Sequence, residues 1–268
     1  MTARLSPRRR VLFGVLAVVL LVAFALAVFA GTRDGTAPSS TAVQDKPGPV
    51  LLVPGYGGGT GGLDQLAGLL RSAGRQVTIV ALPGDGTGDL DAQAEALDKA
   101  ADAALKAGAP SIDVVGYSAG GVVARLWARD HDGAARARRI VTLGSPHHGT
   151  DIAAVAGLLL PGECPLACRQ LVPGSDVIAG LNSGDETPDG PEWVSIWTSQ
   201  DQLVVPPDTA RLGGAHNVSV QQICPGRAVD HGQLPTDAVV DGLVLRALAA
   251  APFVTPTPDD CAALSAGA

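Results

Sequence analysis

From residue 49 the chain alternates short apolar runs with longer stretches whose apolar positions recur every three or four residues. The runs PVLLVPG (49–55), RQVTIVALPG (75–84), SIDVVGYS (111–118), RRIVTLGSPHHG (138–149), EWVSIWTSQD (192–201) and HNVSV (216–220) predict strands. Most lack the polar alternation of a strand wetted on one side, so both faces should be covered. Between them LDQLAGLLRSAG (63–74), LDAQAEALDKAADAALKAG (90–108), AGGVVARLWARD (119–130) and PTDAVVDGLVLRALAA (235–250) have helical spacing, the first two ending in Gly74 and Gly108. Strand and helix in strict succession predict an α/β fold: about six strands, mainly parallel, with helices on both faces. Such a sheet places its ligand site beyond the carboxyl ends of the strands.

Two regions break the rhythm. Residues 151–191 hold the apolar stretch IAAVAGLLLPG, the loop CPLAC and the polar run NSGDETPDGP, and predict a lid-like insertion at a strand's carboxyl end. Before the domain, Arg4, Arg8, Arg9 and Arg10 precede an uncharged apolar run from Val11 to Ala30. Residues 1–30 therefore predict either an uncleaved membrane anchor or a signal peptide, with Ala25-Leu26-Ala27 or Val28-Phe29-Ala30 as cleavage sequence. Both readings export the remainder of the chain and put the protein outside the cytoplasm, on the membrane or released. A buried core helix is the plainer alternative. Residues 31–48, small, polar and Pro-containing, read as a flexible linker. The domain spans 49–252, and 253–268 form a tail.

Charge and cysteine content sharpen this picture. The formal net charge is −7, but all the charge of the first thirty residues is basic, which leaves 15 basic against 26 acidic residues, −11, for the rest. That balance argues against a nucleic-acid partner. Four cysteines in an exported chain favour two disulfides, with three possible connectivities; in one of them Cys164 and Cys168 close a short local loop and Cys224 ties down the tail through Cys261. A zinc site fits the spacing poorly. The run DGTGDLD (85–91) lacks the glycine and glutamate positions of a calcium loop and reads as a turn with a helix cap. No metal site is expected. Asn217-Val218-Ser219 matches a glycosylation sequon but falls in a predicted strand.

The chemistry starts at GYSAG, 116–120. In a chain with 34 glycines a lone G-x-S-x-G is weak evidence; here it stands between a predicted strand and a predicted helix, the setting of a nucleophile elbow. The turn forces the serine backbone into a strained positive-φ conformation and leaves no room for side chains at Gly116 and Gly120. The following helix adds positive potential where an oxyanion would form. Ser118 needs a base. His131 lies at a helix end, His216 begins a strand, and His147 and His148 stand on the rim beyond the fourth strand, where they are expected to touch substrate together with Gly55 and Tyr117. His231, between the last strand and the closing helix, can reach back over the sheet and is the expected base. Asp201, after EWVSIWTSQ, is the expected carboxylate; Asp230, Asp176, Asp185 and Asp208 are alternatives. The oxyanion donors are expected to be the backbone N–H groups of Ala119 and, from the loop after the first strand, Tyr56.

Together PVLLVPGYGG, GYSAGG, TLGSPHHGT, TSQDQLVVP and DHGQLP resemble the small bacterial lipases and esterases of the α/β-hydrolase superfamily, over roughly residues 49–250. The likeness is to minimal lipases lacking the first two strands of larger hydrolases. It implies a minimal α/β-hydrolase fold, a monomer acting on ester or lipid through an acyl-enzyme, no cofactor, and the roles just given to Ser118, Asp201, His231, Tyr56 and Ala119. Where such lipases commonly carry His-Gly at the oxyanion turn, this chain has Pro54-Gly55. Two rivals stay open: an acyltransferase with the same triad acting on an envelope lipid or alcohol, and a non-catalytic binding protein on the same fold.

Overall fold

The computed structural model describes residues 46–266. The expected anchor or signal at 1–30 and all but the end of the linker lie outside those residues. Among the described residues no helix is long and apolar enough to cross a membrane.

Six strands, β1 (Val50–Val53), β2 (Val77–Ile79), β3 (Ile112–Tyr117), β4 (Ala137–Leu143), β5 (Glu192–Trp197) and β6 (His216–Ser219), form one sheet. Their spatial order is β2-β1-β3-β4-β5-β6, and every pairing is parallel. Successive residues of a strand face opposite sides, so a doubly covered strand is apolar at most positions on both faces. In β1, Val50 and Leu52 enter one core with Leu63, Leu66 and Leu70 of α1 (Gly61–Ser72) and Val240 and Leu243 of α8 (Ala238–Ala247). Leu51 and Val53 enter the other, with Leu97 of α2 (Leu90–Lys106) and Val122 and Val123 of α3 (Ala119–Asp130). The register pairs Val53 with Gly116, Tyr117 with Leu143, and Leu143 with Ile196. The carboxyl ends of β1, β3, β4 and β5 are thus level, and the loops leaving them share one edge.

At the opposite edge the buried Asp113 accepts from Arg138 Nε at 2.9 Å and Nη2 at 2.7 Å, and from Arg75. Both arginines also donate to the Leu248 carbonyl, fixing the end of α8 to the sheet. Removing one member would strand a buried charge, at a cost of about 3–5 kcal/mol.

The 151–191 insertion contains three short helices, α4 (Asp151–Leu159), α5 (Leu166–Gln170) and α6 (Asp176–Leu181). Its second half is fastened to α3: the buried Arg125 donates to the carbonyls of Leu181 at 2.7 Å, Glu186 at 3.2 Å and His147 at 3.2 Å. Burial brings that guanidinium down to about 10. The first half is different, with α4 presenting Ile152, Val155, Leu158 and Leu159 to solvent. Disulfides join Cys164 to Cys168 and Cys224 to Cys261. The second closes a 37-residue separation, which in the chain-entropy account contributes about 4 kcal/mol, and it ties α9 (Cys261–Ala266) to the end of α7 (Val220–Ile223). In the 85–91 run, Asp85 accepts from Thr87 N–H at 3.0 Å and Asp89 caps α2. Asn217 spends its amide on the carbonyls of Leu212 and Ala215.

One core group works against stability. Asp241, in the first turn of α8, is 6% exposed, and its Oδ1 has no partner among the described residues. Burial, with Asp237 nearby, pushes its carboxyl up to about 6. Between about 4, the ordinary carboxylate range, and about 6, the folded protein holds a proton that the unfolded chain has released, so stability falls as pH rises through that window. Asp241→Asn should therefore raise Tm at pH 7 by a few degrees, with the gain shrinking towards pH 4; thermal melts of both proteins across this range check it.

Candidate active site

Ser118 follows β3 with no intervening residue and heads α3 at φ 54 and ψ −126. This is backbone that a non-glycine residue adopts only where its surroundings enforce it. They do: Ser118 N–H donates to the Leu143 carbonyl of β4 at 2.8 Å. A Cβ at Gly116 would stand 2.5 Å from the Gly120 carbonyl oxygen, and one at Gly120 would stand 2.3 Å from that of Val53. Strand, helix and the end of β1 touch through bare backbone, which is why GYSAG has glycine at both ends.

His231 Nε2 lies 3.0 Å from Ser118 Oγ, and its Nδ1 lies 2.7 Å from Asp201 Oδ2. Asp201 is 7% exposed and His231 3%. The other carboxylate oxygen of Asp201 accepts from the N–H groups of Leu203 at 2.9 Å and Val204 at 2.8 Å, so the loop after β5 fixes its rotation. His231 begins a short 3-10 turn, His231–Gln233. Asp230 caps that turn, accepting from Gln233 N–H at 2.9 Å. Asp185 accepts from Thr187, while Asp176 and Asp208 sit in the first turns of α6 and of the 3-10 helix Pro207–Ala210.

The loop after β1 passes directly over the serine. A Cβ on Gly55 would come 2.9 Å from Ser118 Cβ, and Tyr56 is the next residue, 44% exposed on the rim. With proline at 54, the loop is held by backbone instead: Gly58 N–H donates to the Gly55 carbonyl at 3.0 Å and Gly57 N–H to the Gly86 carbonyl at 3.3 Å. Ala119 N–H is the first of α3, a position with no carbonyl of its own helix to receive it.

Three residues expected to touch substrate are otherwise engaged. His147 is fully buried, its Nε2 3.0 Å from Thr142 Oγ1, because the turn after β4 tucks it beneath the sheet edge. Burial, then Arg125 and His148, hold its pKa well below the usual histidine range, so the ring is neutral. His148 pairs with Glu186 at 3.1 Å. The Tyr117 hydroxyl donates to the His231 carbonyl at 3.1 Å. His131 meets Asp91, and His216 meets Glu192. Sequence reasoning passed over Gly144, where a Cβ would stand 3.2 Å from Asp201 Oδ2 and 3.3 Å from His231 Nδ1; the available signal was a glycine directly after a predicted strand. Among the described residues no group of three or more His, Cys, Asp or Glu could hold a metal ion.

Around this edge the surface is apolar. Ile152, Val155, Leu158, Leu159, Leu160 and Leu166 of the insertion, Leu203 of the β5 loop and Tyr56 of the β1 loop are all exposed; elsewhere among the described residues the exposed large apolar side chain is Val254.

Residues 81–156, which run from just after β2 through the serine turn and β4 into α4, match the PGAP1-like alpha/beta domain. A comparison with curated protein sequences finds no match. Among solved structures, lipase B of Aspergillus fumigatus aligns at TM-score 0.69 and 19% identity, over 82% of this chain and 56% of the fungal one. The lipase BlEst2 of Bacillus licheniformis aligns at TM-score 0.63 and 17% identity in its propeptide form, over 80% of this chain and 51% of that one. In its mature form the figures are 0.55 and 18%, over 65% and 83%. This chain thus spans just over half the length of the fungal lipase. It has the α/β-hydrolase fold, a six-stranded parallel sheet with helices, which it shares with these two lipases.

Proposed function

We propose that the chain is an exported serine hydrolase that cleaves carboxylic esters of apolar acids. The observation that carries this reading is the continuous relay from Ser118 Oγ through the His231 ring to Asp201, set on the strained turn that heads α3. His231 Nε2 takes the hydroxyl proton as Ser118 Oγ attacks the ester carbonyl, and Asp201 stabilises the imidazolium that forms. The N–H groups of Tyr56 and Ala119 receive the oxyanion. His231 then returns the proton to the departing alcohol, leaving the acid bound to Ser118 as an ester. Water, deprotonated by His231, releases it by the same steps. The apolar rim supports an acyl chain or lipid as the part bound. The two disulfides support an oxidising, extracytoplasmic setting, with the 11–30 segment as tether or cleaved signal.

A series of nitrophenyl esters of increasing acyl length tests the activity. We expect a stoichiometric burst of nitrophenol followed by steady turnover, fastest for chains long enough to reach the rim. No release at any length would contradict the reading. New ester formed from an added alcohol at the expense of free acid would favour acyl transfer.

A further inference from the structure

Tyr117 precedes Ser118 in the chain, and its side chain reaches His231. Its hydroxyl donates to the carbonyl of His231 at 3.1 Å, and its ring lies 5.2 Å from the His231 ring, tilted by 33°. The elbow therefore grips the same histidine twice. Ser118 Oγ meets the imidazole at Nε2, and the neighbouring residue holds the main chain from which the imidazole hangs. No other side-chain hydroxyl donates to that carbonyl among the described residues; the remaining bond to it is the 3.3 Å contact from Leu234 N–H within the turn. On the amide side, His231 N–H has only a 3.4 Å contact with the exposed Gln202.

We infer that Tyr117 is a positioning residue: its phenol O–H holds the His231 backbone so that Nε2 stays within reach of Ser118 Oγ during both proton transfers. The inference rests on the proposed triad. It predicts an effect on the chemical step and little on substrate binding, because the hydroxyl is spent on the His231 carbonyl. The anchor works only while the phenol keeps its proton. The charged or titratable groups around it are His231 itself and the carboxylates of Asp201 and Asp230. Burial first, then those two acids, push the Tyr117 phenol up to about 12, so in the wild type the donor is present throughout the neutral range.

Tyr117→Phe removes the oxygen alone. With activity normalised to serines titrated by a fluorophosphonate, we expect kcat to fall about tenfold, the worth of one well-placed hydrogen bond, while KM stays within about twofold. The proton shared by His231 Nδ1 and Asp201 should exchange faster with water, seen as broadening of its low-field resonance. A residue that merely supported the fold would lower Tm and the titrated fraction without changing kcat per titrated site. A second measurement exploits composition: the chain has only two tyrosines, Tyr56 and Tyr117. Uniform incorporation of a fluorinated tyrosine lowers the pKa of the phenol without changing side-chain shape. The inference expects a new alkaline loss of kcat that is absent from the equally fluorinated Tyr117→Phe protein. Should that variant not fold, fluorinated Tyr56→Phe, whose one tyrosine is Tyr117, must still show the alkaline loss. Unchanged kcat per titrated site in Tyr117→Phe, or no alkaline loss attributable to residue 117, would overturn the anchor and leave the triad standing. Wild-type protein inert to the fluorophosphonate would overturn the triad and the anchor together.

Discussion

Replacing Ser118 with alanine is expected to lower kcat/KM for nitrophenyl esters by about 10^5- to 10^6-fold and to leave the fold in place. The size follows from the proposed chemistry. Without Oγ there is no acyl-enzyme, the base at His231 has nothing to activate, and what remains is the rate that bound water achieves near the oxyanion donors. The fold survives because only Oγ is lost. The Ser118 N–H bond to the Leu143 carbonyl belongs to the backbone, and alanine retains the Cβ that already sits at φ 54 beside Gly55. Hydrolysis rates for both proteins, with circular dichroism and Tm as controls, check the outcome. Residual turnover above about 1% in folded Ser118→Ala protein would move the chemistry to another residue.

Asp201→Asn is expected to lower kcat by about 10^4-fold, through a different cause. The carboxylate divides its work between two oxygens. Oδ1 accepts from the N–H groups of Leu203 and Val204, and Oδ2 accepts from His231 Nδ1. An amide in the same place keeps its carbonyl oxygen on the two backbone donors, because burying those donors unpaired costs about 1–3 kcal/mol each. Its NH2 group then faces Nδ1, which must become the acceptor. The ring proton moves to Nε2, the nitrogen that has to receive the proton of Ser118, and the base is blocked. Tm should change little, since shape and both backbone bonds persist. Steady-state kinetics with nitrophenyl esters give the ratio; a loss under about tenfold would mean that Asp201 only fills space.

Much of this architecture could be read from the chain because the physics that fixes it is local. A strand covered on both faces is apolar at most positions on each, so VLLV and the β4 run IVTL announced a parallel sheet. Glycines at 116 and 120 announced a close approach of backbones, and the succession of Ser118, Asp201 and His231 at the ends of elements picked out the three residues that the structure brings together. Other features depend on contacts between segments far apart in sequence, which no spacing encodes. His147 and His148 looked alike from their position after β4, yet one is fully buried and neutral while the other pairs with Glu186, 38 residues on. Arg125 of α3 pins the end of the insertion through the Leu181 carbonyl, 56 residues on. Tyr117 sits where a substrate contact is a natural expectation, and only the fold shows that its hydroxyl reaches His231, 114 residues away.

Every chemical role proposed for this chain depends on Ser118 being an activated nucleophile. The most direct measurement is peptide mapping by mass spectrometry after the folded protein is treated with a fluorophosphonate. A single phosphonylated serine at position 118, lost on prior unfolding and absent from the Asp201→Asn protein over the same exposure, is the predicted result. Folded protein left unmodified, or modified at another serine, would contradict it.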